Sequence, residues 1–368
     1  MSKIVTHLVI GLTLLLIGSA QAQIQTPRAA SPQASLSQTI GLTEIHVDYS
    51  RPSVRGREIY GTPLAHYGFQ NLGFGTSKAA PWRAGANENT KISFTHDVII
   101  GGGVVPAGTY GYFIALEENG PATIILSSNS SAWGSFFYDP SEDIAQIRIT
   151  PETIAHQETL AFEFSDITAN STVLSLKWEK MAFPLKIEVP VADIVLAEAR
   201  KAMQDQPGFN RQTWEQAAGY ALQNNTDLEE ALGWIDNAIA GKFYSQKTYA
   251  NLQIKAQLLT ALGRGAEAEA IMADALDLAT VLEMHQYGRQ LIAAGQVEKA
   301  LEVFKRNAKE NPNTWPVHYG LARGYSAQGD YKQAAKHLEK ALANAPNDAS
   351  RGRVAANLEK LKNNQDIN

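Results

Sequence analysis

Two groups of residues in this 368-residue chain have the types and spacing to do chemistry. The first is Asp48, Arg51, Arg55, Arg57 and Glu58, followed by Trp82, Arg83, Asn87 and Glu88, all on short segments punctuated by glycine. Arginine presents a planar fork that grips a carboxylate or phosphate through two parallel hydrogen bonds, and a neighbouring tryptophan adds a stacking face for a sugar or aromatic group. One reading is therefore a site for an anionic or sugar-like ligand, built from Asp48, Arg51, Arg57, Trp82, Arg83, Asn87 and Glu88 on loops of a rigid sheet. The other is structural. Arg51, Arg57 and Arg83 would pair with Asp48, Glu58 and Glu88 and fasten long loops to the sheet, while Asn87 holds a turn. The second group is Gln253 and Gln257, His285 and Arg289, and Tyr319 and Arg323. Each pair is four residues apart, which puts both members on one face of a helix. Two stacked arginines on such a stripe suit an acidic or C-terminal carboxylate segment, and the plainer alternative is a solvated helix face.

Catalytic patterns are thin. His46, His66, His96 and His156 lie in the first half of the chain, none at a metal-ligand spacing, and that half contains no G-x-S-x-G or S-x-x-K pattern. Glu88 beside Arg83 has the character of a general acid or base, because a neighbouring cation and burial tune a carboxyl group. A hydrolase acting on sugars or esters is thus the rival to a binding protein. It requires at least two of His46, Asp48, Glu88 and His96 to converge in an open pocket. No catalytic residue, metal or cofactor is assigned from the sequence.

Composition limits the classes further. There is no cysteine, which removes disulfides, thiol nucleophiles and zinc-cysteine sites. Lys+Arg 32 against Asp+Glu 37 gives a net charge of -5 with no basic patch, which argues against nucleic acid as a partner. Residues 1–22 run from Lys3 through the apolar stretch Leu8 to Ile17 to Ala20-Gln21-Ala22, the plan of a cleavable signal peptide cut after Ala22. That stretch is short for a membrane span, which takes about 20 residues, and no later segment reaches that length. The expectation is an exported protein, periplasmic or extracellular, with no transmembrane anchor after cleavage. The absence of cysteine leans toward a bacterial envelope.

Behind these residues stand two kinds of element. From Ser35 to Val189 short apolar runs recur between Gly, Pro, Asn and Ser clusters, which predicts an all-β sandwich-like or barrel-like module of about ten strands. They include Glu44–Ser50, Lys91–Ile100, Thr109–Leu116, Ala122–Ser128, Asp143–Ile149, Thr159–Phe164, Thr172–Glu179 and Leu185–Val189, with a hairpin turn at Gly101-Gly102-Gly103. After Pro190 the composition shifts to Ala, Leu, Gln, Glu and Lys at helical spacing. Gly295, Ala300 and Pro312 recur as Gly329, Ala334 and Pro346, each 34 residues on. Imperfect earlier copies run from Gly263 to Ala275 and around Trp214, Ala231, Ile235 and Ala238.

These patterns resemble two known families. Ser31 to Gly61, PWRAGANENT at Pro81 to Thr90, PAGTYGYF at Pro106 to Phe113, Trp133-Gly134 and Asp143 resemble the bacterial domain-of-unknown-function family twenty-nine-eleven. That likeness implies a secreted β domain and no reaction. The chain departs from it in the extra residues QNLGFGTSKAAP between Tyr67 and Trp82, and in Pro121-Ala122 where a tryptophan is usual. The 34-residue period resembles tetratricopeptide repeats, whose stacked helix pairs leave a concave surface for a peptide or protein. The expected layout is a signal peptide at 1–22, a β domain at 31–189, a helical linker at 190–209, an all-α tetratricopeptide-type solenoid at 210–347, and a capping helix with a tail at 348–368. The expected function is binding: the β module recognises an envelope ligand and the repeats dock a protein partner.

Overall fold

The structure is a computed structural model and describes residues 30–312 and 314–368. The signal-like segment 1–22 lies outside the described residues. The chain divides into two compact units between Val191 and Ala192.

The first unit is a β-sandwich. Its larger sheet uses β1 (Gln33–Ile40), β2 (Thr43–Ser50), β5 (Thr90–Phe94), β8 (Gly108–Leu116), β9 (Ala122–Ser127) and β10 (Asp143–Ile149) in that spatial order. The smaller sheet runs β11 (Glu152–Ser165), β12 (Ser171–Glu188), β6 (Val98–Ile100) and β7 (Gly103–Val105), and a short ribbon joins β3 (Gln70–Asn71) to β4 (Ala79–Ala80). Alternation sets the inner face. Ile45 and Val47 of β2 and Ile92 and Phe94 of β5 are buried while their neighbours along each strand are more exposed. Across the interior Tyr112 of β8 meets Phe162 of β11 edge-on at 5.5 Å, and Tyr49 of β2 meets the same ring at 4.9 Å. These cross-sheet contacts close the core.

Two strand expectations change. Lys91–Ile100 is two strands in different sheets, because the Thr95 backbone and side chain bond Glu44 while the Asp97 carboxylate takes the Ala107 amide, turning the chain. Conversely, Thr172–Glu179 and Leu185–Val189 are parts of β12, which runs for 18 residues opposite β11. Register shifts around Gln157 and Glu179 let this long pair bend without ending it. At the triglycine, Gly101 and Gly102 have φ of 60° and 82°, and Ile100 pairs with Gly103. That is a two-residue hairpin whose twist demands left-handed backbone at both positions.

The second unit contains ten α-helices among the described residues. They are α1 (Val191–Met203), α2 (Arg211–Gln223), α3 (Leu228–Ala240), α4 (Tyr249–Ala261), α5 (Gly265–Leu276), α6 (Val281–Ala293), α7 (Val297–Glu310), α8 (Trp315–Ala327), α9 (Tyr331–Ala343) and α10 (Asp348–Lys362). Leu196 of α1 is fully buried in one cluster with Ala217, Ala221, Trp234 and Leu252. Caps mark the helix starts: Thr280 and Glu283 satisfy each other's backbone amides at α6, and Thr248 and Asn251 do so at α4. The repeat's small residues serve packing. Phe304, 1% exposed, lies so close to α6 and α8 that a Cβ on Gly288 would overlap its ring, and one on Gly320 would stand 2.6 Å from it. Ala300 and Ala334, one period apart, are both fully buried.

Candidate functional site

In the β unit, Arg51 and Arg57 grip backbone carbonyls. Arg51 Nε donates to Leu160 O of β11 at 3.0 Å; Arg57 donates from Nε to Val54 O at 2.9 Å and from Nη2 to Ser53 O at 2.5 Å. The Val54 and Ser53 carbonyls lie in a loop and Leu160 lies in β11 where its register with β12 shifts, and guanidinium donors satisfy all three. Arg51 and Arg57 fasten their segments as the structural alternative expected, but through carbonyls and not through Asp48 or Glu58.

Trp82 requires a correction. Its indole is 2% exposed and stacks on Trp178 at 5.9 Å, with Phe183 at its edge. It is a core residue and offers no face to a ligand. The Trp82 backbone pairs with Ile114, and this extra bridge to β8 is what carries the ring inward.

Arg83, next in the chain, behaves differently. Its Nη1 donates to Asn87 O at 2.8 Å and its guanidinium lies 5.2 Å from the Phe136 ring centre. Among the described residues no carboxylate stands within ion-pair distance of it. Burial holds this group below the ordinary arginine range, and burial with the Arg83 charge also lowers the buried His66. A Cβ on Gly134 would stand 2.5 Å from Arg83 Nη1, so the glycine leaves room for the guanidinium in this position. Asn87 sits at φ 61° and reaches Ser31 O with its amide at 3.5 Å; Glu88 follows it, half-buried. Arg83 and Asn87 are thus brought together, while Arg51 and Arg57 are tied elsewhere.

Asp48 joins a different group. His46 stands between Ser37 Oγ, 2.7 Å from Nδ1, and Asp48 Oδ1, 3.2 Å from Nε2. The register explains it: Ser37 faces His46 across β1 and β2, and Asp48 lies two residues along the same face. His96 turns instead to Thr43 and Thr95. A cavity of about 480 Å³ in this unit is lined by Tyr60, Tyr67, Glu117, Lys180 and Phe183 among others, and by none of the residues singled out from sequence. Tyr60 donates to Trp178 O at 2.8 Å, and burial followed by the Glu179 charge raises its phenol. Tyr60 and Lys180 are far apart in the chain, and no motif links them.

The helical unit brings its stripe together in part. Gln253 of α4 donates to Gln290 of α6 at 3.2 Å, and exposed Gln257 shares with both a cavity of about 270 Å³. His285 and Tyr319 are packed between helices: their rings stack at 6.0 Å, Tyr319 also stacks on Trp315 at 5.2 Å and is 5% exposed. Asn357 Nδ2 donates to the Tyr319 hydroxyl at 2.8 Å. Burial, then the Arg323 and Arg289 charges, push His285 down to about 4. The arginines themselves reach the groove. Arg289 is exposed, Arg323 lies over the Tyr319 ring at 4.9 Å, and both line a cavity of about 300 Å³ with Gln286, Gln290 and Asn368. Gln286 and Gln290, absent from the sequence expectation, each follow a member of the His285 and Arg289 pair, and widening the stripe by one residue toward the C-terminus would have found them.

Residues 31–187 match the family model described as a protein of unknown function (DUF2911), and residues 291–358 match the model of a tetratricopeptide repeat. The N-terminal domain resembles DUF2911, and the C-terminal half resembles tetratricopeptide repeats. No curated protein matches the chain. Solved structures similar to it include YrrB, a TPR protein with an unusual peptide-binding site, at 17% identity over 45% of this chain and 84% of that one, TM-score 0.30. The C-terminal part of a TPR repeat-containing protein from Cytophaga hutchinsonii is 15% identical over 47% and 70%, TM-score 0.34. A thermophilic TPR protein in Thermus thermophilus is 20% identical over 46% and 91%, TM-score 0.30. At these scores the likenesses carry no argument about function. The tetratricopeptide half supports a protein-interaction role. The DUF2911-like half comes with no assigned activity.

Proposed function

We propose that the protein is exported to the bacterial envelope and works there as an interaction platform, its repeats docking a protein or peptide and its DUF2911-like unit binding an anionic ligand. The observation that carries the docking reading is the cavity shared by Arg289 and Arg323 with Gln286 and Gln290. Two guanidinium groups with amide side chains beside them suit an acidic segment. For the β unit the support is Arg83, a half-buried guanidinium with no ion-pair partner among the described residues. Export rests on residues 1–22.

The test is capture from envelope extract by the chain starting at Gln23, beside its Arg289→Glu variant. A defined protein retained by the first and lost by the second supports the platform; identical capture by both sinks it. Fractionation with N-terminal sequencing of the recovered protein checks export, and an intact Met1 in the cytoplasm would overturn that part. For the β unit, nuclear magnetic resonance titration with inorganic phosphate and acidic sugars should shift Arg83 signals, and equal shifts in Arg83→Gln would refute the site. One observation favours a hydrolase instead: the Ser37, His46 and Asp48 chain has the order of an activated nucleophile. It lies on a half-exposed sheet face and lines neither of this unit's cavities of about 480 and 330 Å³. Labelling of Ser37 by a fluorophosphonate probe, absent in Ser37→Ala, would establish that reading.

A further inference from the structure

Residues 366–368 already sit in the groove. The chain turns back after α10 at Asn364, whose φ is 57°, and returns to α8. Ser326 Oγ donates to Asp366 Oδ1 at 2.6 Å, and the Ile367 amide stands 3.2 Å from the same Ser326 oxygen. Ile367 is 5% exposed, packed in one cluster with Tyr319, Ala322, Val354 and Leu361. Arg323 Nη1 reaches Ile367 O and Asn368 Oδ1, each at 3.3 Å, while Asn368 Nδ2 donates to Arg323 O at 3.1 Å. Three successive residues are therefore read in turn: an acid by a hydroxyl, an aliphatic side chain by an apolar seat, an amide by a guanidinium and a carbonyl.

The fit is incomplete. Arg323 Nε is buried without a hydrogen-bond partner. The cavity of about 300 Å³ that Asn368 lines is lined also by exposed Arg289. An open cavity edged by an exposed cation is a feature that an acidic side chain can satisfy.

We propose that α8 and the cavity beside it form a reading site for a partner segment with an acidic residue, an aliphatic residue and an amide residue in succession, followed by a further acidic residue that meets Arg289. Residues 366–368 hold the site as an internal competitor until such a segment displaces them. This proposal rests on the docking reading above and names the partner's chemistry. A tethered occupant acts at an effective concentration in the millimolar range, so a free segment binds weakly until it makes contacts the tether lacks.

The experiment uses the full chain from Gln23 and two labelled peptides in fluorescence anisotropy: Asn-Asn-Gln-Asp-Ile-Asn, the sequence of residues 363–368, and the same peptide extended by one glutamate. Ile367→Asp, which unseats the tail, should bind the extended peptide about 10-fold more tightly than the unaltered chain. Asp366→Ala, which removes the Ser326 bond without placing a charge in the core, should move affinity the same way by less. Adding Arg289→Ala to Asp366→Ala should weaken the extended peptide about 5-fold or more and leave the shorter one unchanged. Helix content by circular dichroism identifies any variant that fails to fold, and the comparison is then read from the other. Equal binding by the tail variants and the unaltered chain overturns the proposal, as does undiminished binding of a peptide carrying Asp in place of the isoleucine. If those failures occur while capture from extract still depends on Arg289, the docking reading survives and the internal competitor does not.

Discussion

Arg51 and Arg57 of the sandwich and Arg289 of the repeat array do opposite work. In the sandwich, Arg51 and Arg57 are bound to backbone carbonyls and serve the fold. In the repeat array, Arg289 stands exposed at a cavity and Arg323 reaches toward residues 366–368. The cause is backbone accounting. A helix satisfies its own amides and carbonyls except at its ends, so the side chains of a helical array are released for partners. Loops of a sandwich contain carbonyls that only side chains or water can meet, and long donors are drawn to them.

The comparison can be broken first at the cores. Phe304→Ala in the array and Trp178→Ala in the sandwich should each cost about 3–5 kcal/mol, read from denaturant midpoints with hydrogen exchange assigning the loss to α6–α8 or to β11 and β12. A loss under about 1 kcal/mol for either would show that its unit is not held by that ring.

Acid comes next and acts on the array mainly through one strongly shifted histidine. His285 is held at about 4 when folded against about 6.5 when unfolded. The unfolded chain therefore binds the proton first, and stability is fully present above the unfolded value, falls as pH drops from about 6.5 to about 4, and levels below. Over that window the array should lose about 3 kcal/mol, and His285→Gln should flatten most of the slope. Burial also lowers His318 and His337, so a residual slope of the same sign should remain. An unchanged slope in His285→Gln would remove the buried neutral histidine from the account.

The arginines themselves sharpen the contrast. Arg51→Met leaves Leu160 O without its donor and should cost about 1–2 kcal/mol, whereas Arg289→Met should stay within about 0.5 kcal/mol in the same melts. Equal costs would erase the distinction drawn here. Last is the hairpin: Gly102→Ala, at φ 82°, should cost about 1 kcal/mol, measured by urea denaturation, with no change in peptide binding by the array.

Much of this architecture can be read from residue patterns. Alternation at Ile92 and Phe94 predicts a half-buried strand, and the spacing of Ala300 and Ala334 predicts stacked helix pairs. Both depend on local periodicity, which survives without knowledge of distant contacts. The strand end at Phe94 does not, because Thr95 turns only by bonding Glu44, more than forty residues away in sequence. Trp82 fails for the same reason: tryptophan beside arginine reads as an exposed pair, and only the bridge to Ile114 and the stack on Trp178 send it inward. Residues 366–368 carry no periodic signal, and their role depends on Ser326 and Arg323 in another helix.

Phe304 has one more consequence. A single ring is wedged against Gly288 of α6 and against Gly320 and Gly324 of α8, so it belongs to two neighbouring repeats at once. Neither repeat can open without exposing it. In an array whose stability is otherwise a sum of neighbour terms, α6 to α8 should melt as one block, and gradual fraying from the C-terminal end should halt there.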